Sequence, residues 1–190
     1  MRIELGEWIY GLWIAFGVIW LLSARFTKKA ARSQTPSSRL LQAGLAASGF
    51  ILLFGWRGPL GVLDEHFLPE SAAFDWAGFG LTLAGFAIAV WARFVLGRNW
   101  SATITIKQDH EIVRRGPYAA VRHPIYSGFL LALFGTAIYY ATFRGLLAVA
   151  LTFTGWWLKS RMEEAFLLQQ FGAQYRDYQR EVKALIPFVL

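Results

Sequence analysis

The sequence predicts an all-α, polytopic membrane protein of about five transmembrane helices, the last two forming a C-terminal helical hairpin. Three observations carry this expectation. Of 190 residues, 56% are hydrophobic and 16% charged, against roughly 25% charged in soluble domains. The apolar residues fall in long blocks rather than one-sided periodic faces, as expected of helices surrounded by lipid. The loops between the blocks alternate in charge, which is how Lys and Arg distribute across a bilayer.

The first span covers residues 8–24. Arg2, Glu4 and Glu7 precede it, and it ends Leu22-Ser23-Ala24-Arg25 without a small-x-small cleavage site, so it reads as a retained helix. The second covers 40–56 and the third 74–96, with Arg93 near its end, where a long side chain reaches the interface. The fourth covers 124–143. The fifth, 146–158, is short for a crossing unless it continues through Lys159. Arg144-Gly145 is expected to break the chain between the last two and to close the hairpin.

Orientation follows from the basic residues. The loop after span one carries Arg25, Lys28, Lys29, Arg32 and Arg39 without an acid. The loop after span two carries Asp64, Glu65, Glu70 and Asp75 against Arg57, and the loop after span three Arg98, Lys107, Arg114, Arg115 and Arg122. The first and third loops are thereby assigned to the cytoplasm, with the N-terminus outside and the C-terminal tail inside. The chain divides into three N-terminal helices, 1–96, and a C-terminal part, 97–190, within one membrane domain. Its polar residues concentrate in two cytoplasmic segments, 97–123 and 159–187, and any chemistry is expected there.

Composition excludes several functions. There is no cysteine, so thiolate chemistry and disulfides are absent, and three histidines without an H-E-x-x-H spacing argue against a metal site. The formal charge of +7 lies beside apolar spans, which speaks for membrane topology and against nucleic acid.

Three constellations remain. The first is His110-Glu111-Ile112-Val113, Gly116-Pro117-Tyr118 and Arg122-His123-Pro124-Ile125-Tyr126. Pro124 suits the first turn of span four, and the free N–H groups there suit a carboxylate; Arg122 and His123 read equally as interfacial capping residues. The second is Lys159, Arg161, Glu163 and Glu164, where Lys159 and Glu163 share a helix face, either as a solvated ion pair or as part of a site. The third is Phe171-Gly172 followed by Tyr175 and Tyr178, which either close over an apolar or cationic ligand or anchor the chain at the interface.

In order and spacing these stretches, together with Gly97-Arg98-Asn99-Trp100-Ser101, resemble the isoprenylcysteine carboxyl methyltransferase family and, more loosely, the membrane phospholipid methyltransferases. The resemblance implies a five-helix fold with a cytoplasmic-side pocket for S-adenosyl-L-methionine, released as S-adenosyl-L-homocysteine, and a lipophilic or lipidated acceptor with an isoprenylcysteine-like carboxylate. It implies that His110, Glu111, Ile112, Val113, Tyr118, His123, Pro124, Ile125, Tyr126 and Glu163 line the cofactor site. Lys159, usually Arg in the family, and Arg161 are implied to serve the acceptor, with Glu163 or His123 as base for an amine or thiol; no metal is implied. A membrane reductase of the sterol-reductase type and a non-enzymatic protein retaining the fold are the alternatives.

Overall fold

The computed structural model describes residues 2–24, 30–33, 36–55, 58–97, 100, 105–107 and 112–190. It is built from helices α1 (Arg2–Ala24), α2 (Pro36–Phe50, continued by a π-helical turn Ile51–Gly55), α3 (Ala72–Leu96), α4 (Pro124–Tyr140), α5 (Phe143–Phe171) and α6 (Ala173–Glu181). Two short strands, β1 (Ala30–Ser33) and β2 (Thr105–Lys107), pair antiparallel and join the segment after α1 to the segment after α3. The stretches 4–23 and 72–96 are long and apolar enough to cross a membrane by themselves, and residues 40–55 and 124–140 form shorter apolar helices.

The helices are apolar on both their inner and outer faces. On α1, Leu5, Ile9 and Phe16 point inward while Trp8, Ile14, Val18, Leu21 and Leu22 are exposed. On α3, Leu83, Trp91 and Phe94 are exposed in the same way. A helix apolar all round is stable only when its outer face meets lipid or protein.

Without a hydrophobic force between helices in lipid, close packing must come from small residues and interhelical hydrogen bonds. The α3–α4 crossing is made this way. A Cβ on Gly85 would lie 2.4 Å from the backbone of Gly128 and Ala132, and one on Gly135 would lie 2.5 Å from Thr82 N. Thr82 Oγ1 donates to the Gly78 and Ala132 carbonyls and lies 3.2 Å from Thr136 Oγ1. Helix α2 lies on α5, with Gly49 against Ala148 and Thr152 and Gly155 against the backbone of Gln42. Between these pairs, aromatic rings fill the interior. Trp13 meets Phe50, Phe54, Phe86 and Phe129 edge-on and donates to Thr136.

One expected boundary is corrected. The break between α4 and α5 is at Ala141–Thr142, with Arg144 and Gly145 already in α5. Ala141 takes the left-handed conformation, φ 56°, and its N–H caps the helix on the Ala137 carbonyl. Gly145 is used instead for close approach, since its Cβ would lie 3.0 Å from that of Ala137. The α4–α5 turn is held by the segment after α2, through Phe67 N–H to the Ala141 carbonyl, Phe143 N–H to the Glu65 carbonyl and Arg144 to Asp64. At a second boundary, the stated alternative of a helix continuing through Lys159 is the one found. α5 runs 29 residues, through Lys159 and past the expected end at 158, so the charged cluster lies on a continuous helix.

Candidate functional site

The residues expected to carry chemistry meet where α4 begins and α5 leaves its apolar stretch. Pro124 opens α4 with His123 as its N-cap, in a non-helical conformation (φ −123°, ψ 58°), as the residue before a proline favours. The chain after α6 passes beside this start: Arg122 N–H donates to the Lys183 carbonyl and His123 N–H to the Ala184 carbonyl. Backbone donors expected to suit a ligand carboxylate here are thus partly engaged by the protein itself.

The adjacent acids of α5 have different surroundings because consecutive helical residues point in different directions. Glu164 is buried. Its Oε1 accepts from Arg122 Nε at 2.8 Å and lies 2.7 Å from Arg122 Nη2 and 3.1 Å from His123 Nε2. Its Oε2 accepts from Gln179 Nε2 at 2.8 Å, with Arg161 at 3.7 Å. Burial pushes its pKa up, but hydrogen bonding and charge from His123 and Arg122 outweigh it and hold the carboxyl at about 2. The remaining Arg122 nitrogen donates to the carbonyls of Gln179 and Val182. Each guanidinium nitrogen of Arg122 is thus occupied within the protein.

Glu163 faces outward into the site with its side chain one-third exposed (33%). It accepts from Tyr126 Oη at 2.9 Å, and His123 Nδ1 lies 3.7 Å away. The His123 ring therefore bridges the two carboxylates. It also stacks on Tyr126, with centroids 5.4 Å apart and planes 7° apart, and Tyr126 stacks in turn on Trp156. Lys159 Nζ lies 5.3 Å from the Tyr126 centroid, so Lys159 and Glu163 are connected through one aromatic ring. Arg161 is mostly exposed and lies over Trp157.

Tyr118 is buried with Ile125, Ala92 and Trp100, and Val113 packs against this group. Burial, then the charge of Glu163 and the neighbouring Tyr178, push its phenol well above the usual range, with Arg93 opposing. It stays a neutral hydroxyl throughout the physiological range. Ile112 is half-buried. His110 and Glu111 lie outside the described residues. The Tyr175–Tyr178 pair is corrected from a ligand-facing or interfacial pair to a packed one. Both rings are buried, Tyr178 Oη donates to the Tyr118 carbonyl, and Arg114 covers the Tyr178 ring. Burial pushes the Tyr178 phenol up to about 12, so it remains a donor. Sequence reasoning left Glu164 and Gln179 without roles and did not pair Arg122 with Glu164. The adjacency of two acids signals that they point apart, but not which one faces inward.

The carboxylate–aromatic cluster thus lies where α4 begins and α5 leaves its apolar stretch, in a bundle of long apolar helices. The sequence profile of the family PEMT, phospholipid methyltransferase, matches residues 74–174. A probable protein-S-isoprenylcysteine O-methyltransferase of Oryza sativa subsp. indica is 32% identical over 127 residues, 64% of this chain and 65% of that protein. A methanethiol S-methyltransferase of Mycobacterium tuberculosis is 32% identical over 157 residues, 76% of this chain and 61% of that protein. The solved structure of the eukaryotic intramembrane Ras methyltransferase, isoprenylcysteine carboxyl methyltransferase, superposes with a TM-score of 0.54 at 25% identity, over 84% of this chain and 55% of that one. The chain belongs to this family of phospholipid and isoprenylcysteine methyltransferases. It spans about two thirds of the length of the plant relative and just over half of the solved one.

Proposed function

We propose that the chain is an integral membrane methyltransferase that uses S-adenosyl-L-methionine and methylates a lipophilic acceptor. The observation that carries the reading is the cluster of Glu163, Tyr126, His123 and Lys159 at the mouth of α4 and α5, on a chain of this family. The donor set fits the group: a partly exposed carboxylate beside aromatic faces suits a cationic sulfonium and a planar base. Glu163, Tyr126, His123, Pro124, Ile125, Tyr118, Ile112 and Val113 are assigned to hold it, together with His110 and Glu111, and residues 97–190 form the catalytic part. When bound, S-adenosyl-L-methionine supplies a methyl group on a positively charged sulfur.

The protein's share of the work is alignment and exclusion of water. Tyr126 fixes Glu163 through its hydroxyl, and the Glu164–Arg122–His123 network fixes the start of α4, so the residues facing the two ligands are set before either binds. Lys159 and Arg161 attract an anionic acceptor. A carboxylate acceptor is ionised at neutral pH and attacks without a base, as in the resemblance to isoprenylcysteine enzymes. A thiol acceptor is the second reading, favoured by the mycobacterial relative, and requires its proton to pass to Glu163 or His123. The relatives named above are methyltransferases, which supports methyl transfer over the reductase alternative.

About five crossings complete the reading. The β1–β2 pairing brings the basic segments after α1 and α3 together, and the acidic segment after α2 meets the turn between α4 and α5. With basic loops cytoplasmic, the N-terminus lies outside and the site and tail inside, in a prokaryotic plasma membrane. The test is incubation of the purified protein in nanodiscs with S-adenosyl-L-methionine labelled in the methyl group, offering a prenylcysteine analogue and an alkyl thiol in separate reactions. Mass spectrometry is expected to find label on an ester oxygen or a sulfide sulfur; label on neither, and none on added membrane lipid, would refute the reading.

A further inference from the structure

Residues 184–190, Ala-Leu-Ile-Pro-Phe-Val-Leu, contain no polar side chain, whereas Arg180, Glu181 and Lys183 just before them are charged. The start of this segment is buried and pinned to α4. His123 N–H donates to the Ala184 carbonyl at 2.9 Å, and Ser127 Oγ donates to the Leu185 carbonyl at 2.5 Å. Ser127 lies in the first turn of α4, so Leu185 is level with the point where that helix enters its apolar stretch.

Beyond Leu185 the chain turns back on itself. Leu185 and Ile186 N–H both donate to the Leu190 carbonyl, and Val189 and Leu190 N–H both donate to the Ile186 carbonyl. Phe188 adopts φ 66°, a conformation bulky residues rarely take. The result is a closed turn that presents Ile186, Phe188 and Val189 outward, with Phe188 96% exposed. Single exposed apolar residues need no explanation. Three on one turn, beside the start of a membrane helix, form a surface that water does not favour. Lipid is the occupant the turn suits best. Its N–H groups at 185, 186, 189 and 190 are hydrogen-bonded within the turn, which lowers the cost of placing them in an apolar medium. The basic residues Arg180 and Lys183 precede it, which suits anionic headgroups, and the bonds to His123 and Ser127 set the turn beside the start of α4, a helix read as spanning the membrane.

We propose that residues 186–189 form a lipid-facing foot that inserts into the cytoplasmic leaflet beside α4 and holds the His123 site at the bilayer surface. The inference rests on the membrane topology above and not on the methyl transfer. Because the chain has no cysteine, single spin labels report on it cleanly. Phe188→Cys and, as an independent site, Val189→Cys are labelled in the full chain in phosphatidylcholine–phosphatidylglycerol nanodiscs. Accessibility to oxygen is compared with accessibility to a water-soluble nickel chelate. Leu83→Cys, on the exposed face of α3, serves as the lipid reference, and Gln170→Cys, near the end of α5, as the aqueous one. Both foot positions are expected to match position 83, favouring oxygen over nickel. A match to position 170 overturns the proposal, and exclusion of both reagents overturns it in favour of a protein partner on the turn. If position 83 itself favours nickel, the membrane reading fails rather than the foot alone. Unfolding midpoints equal to the unlabelled protein's confirm that each labelled chain is folded.

Discussion

Glu164→Gln separates the buried acid of the site from the exposed one. The substitution keeps shape but removes the charge that faces Arg122 at 2.7 Å and 2.8 Å and His123 at 3.1 Å. Removing one partner of a buried ion pair costs roughly 3–5 kcal/mol, because the other charge stays buried and uncompensated. For a chain of this size each kcal/mol shifts the midpoint by roughly 2–4 °C, so the expected fall is about 6–20 °C. Intrinsic tryptophan fluorescence during heating in detergent provides the assay. Glu163→Gln turns the charge-assisted hydrogen bond from Tyr126 Oη into a neutral one at a partly exposed position and is expected to lower the midpoint far less, by about 1 kcal/mol of stability. The acid limb adds a second readout. The folded carboxyl of Glu164 titrates at about 2, below its ordinary value, so its contribution is complete above the unfolded-state pKa and lost as pH falls toward 2. The wild type is therefore expected to lose stability across that interval more steeply than Glu164→Gln. A Glu164→Gln midpoint within 2 °C of wild type, with an unchanged acid limb, would refute the account of how α4, α5 and α6 are joined.

Further outcomes follow from the same geometry. Gly85→Val is expected to separate α3 from α4, since its Cβ would already lie 2.4 Å from backbone atoms; overpacking of this kind costs roughly 1–3 kcal/mol or more, and fluorescence-monitored unfolding checks it. Tyr178→Phe loses the hydrogen bond to the Tyr118 carbonyl and is expected to cost about 1 kcal/mol, measured in the same way. In intact cells, Glu70→Cys is expected to react with an impermeant thiol reagent and Gln34→Cys to be protected; labelling at position 34 from outside would overturn the orientation.

The apolar blocks made the helices legible, because lipid-facing and interior residues are both apolar and leave long uninterrupted runs. Helix ends were less legible. The expected end of span five at 158 reflects the start of charged residues, but helix α5 continues because those charges find partners across α4 and α6. Ala141 closes the α4–α5 turn without glycine or proline, so nothing local announced it. The pairing of β1 with β2 is too short for a periodicity signal. In the site, the motif stretches identified His123, Tyr126 and Glu163 as companions, and the fold brings them within contact. The division of labour between Glu163 and Glu164 depended on the rotation of α5 about its axis, and the burial of Tyr175 and Tyr178 on the docking of α6; neither is written in local sequence.

The central claim is that this site binds S-adenosyl-L-methionine through Glu163. Isothermal calorimetry with S-adenosyl-L-homocysteine, on wild type and on Glu163→Gln in the same nanodiscs, tests it most directly. A charge-assisted hydrogen bond of roughly 1.5–3 kcal/mol predicts binding by wild type that a metal chelator leaves unchanged, weakened about ten- to a hundredfold in Glu163→Gln, while NADPH gives no heat with either. Equal affinity in the two proteins would contradict the assignment of Glu163, and no binding by wild type at millimolar ligand would contradict the account as a whole.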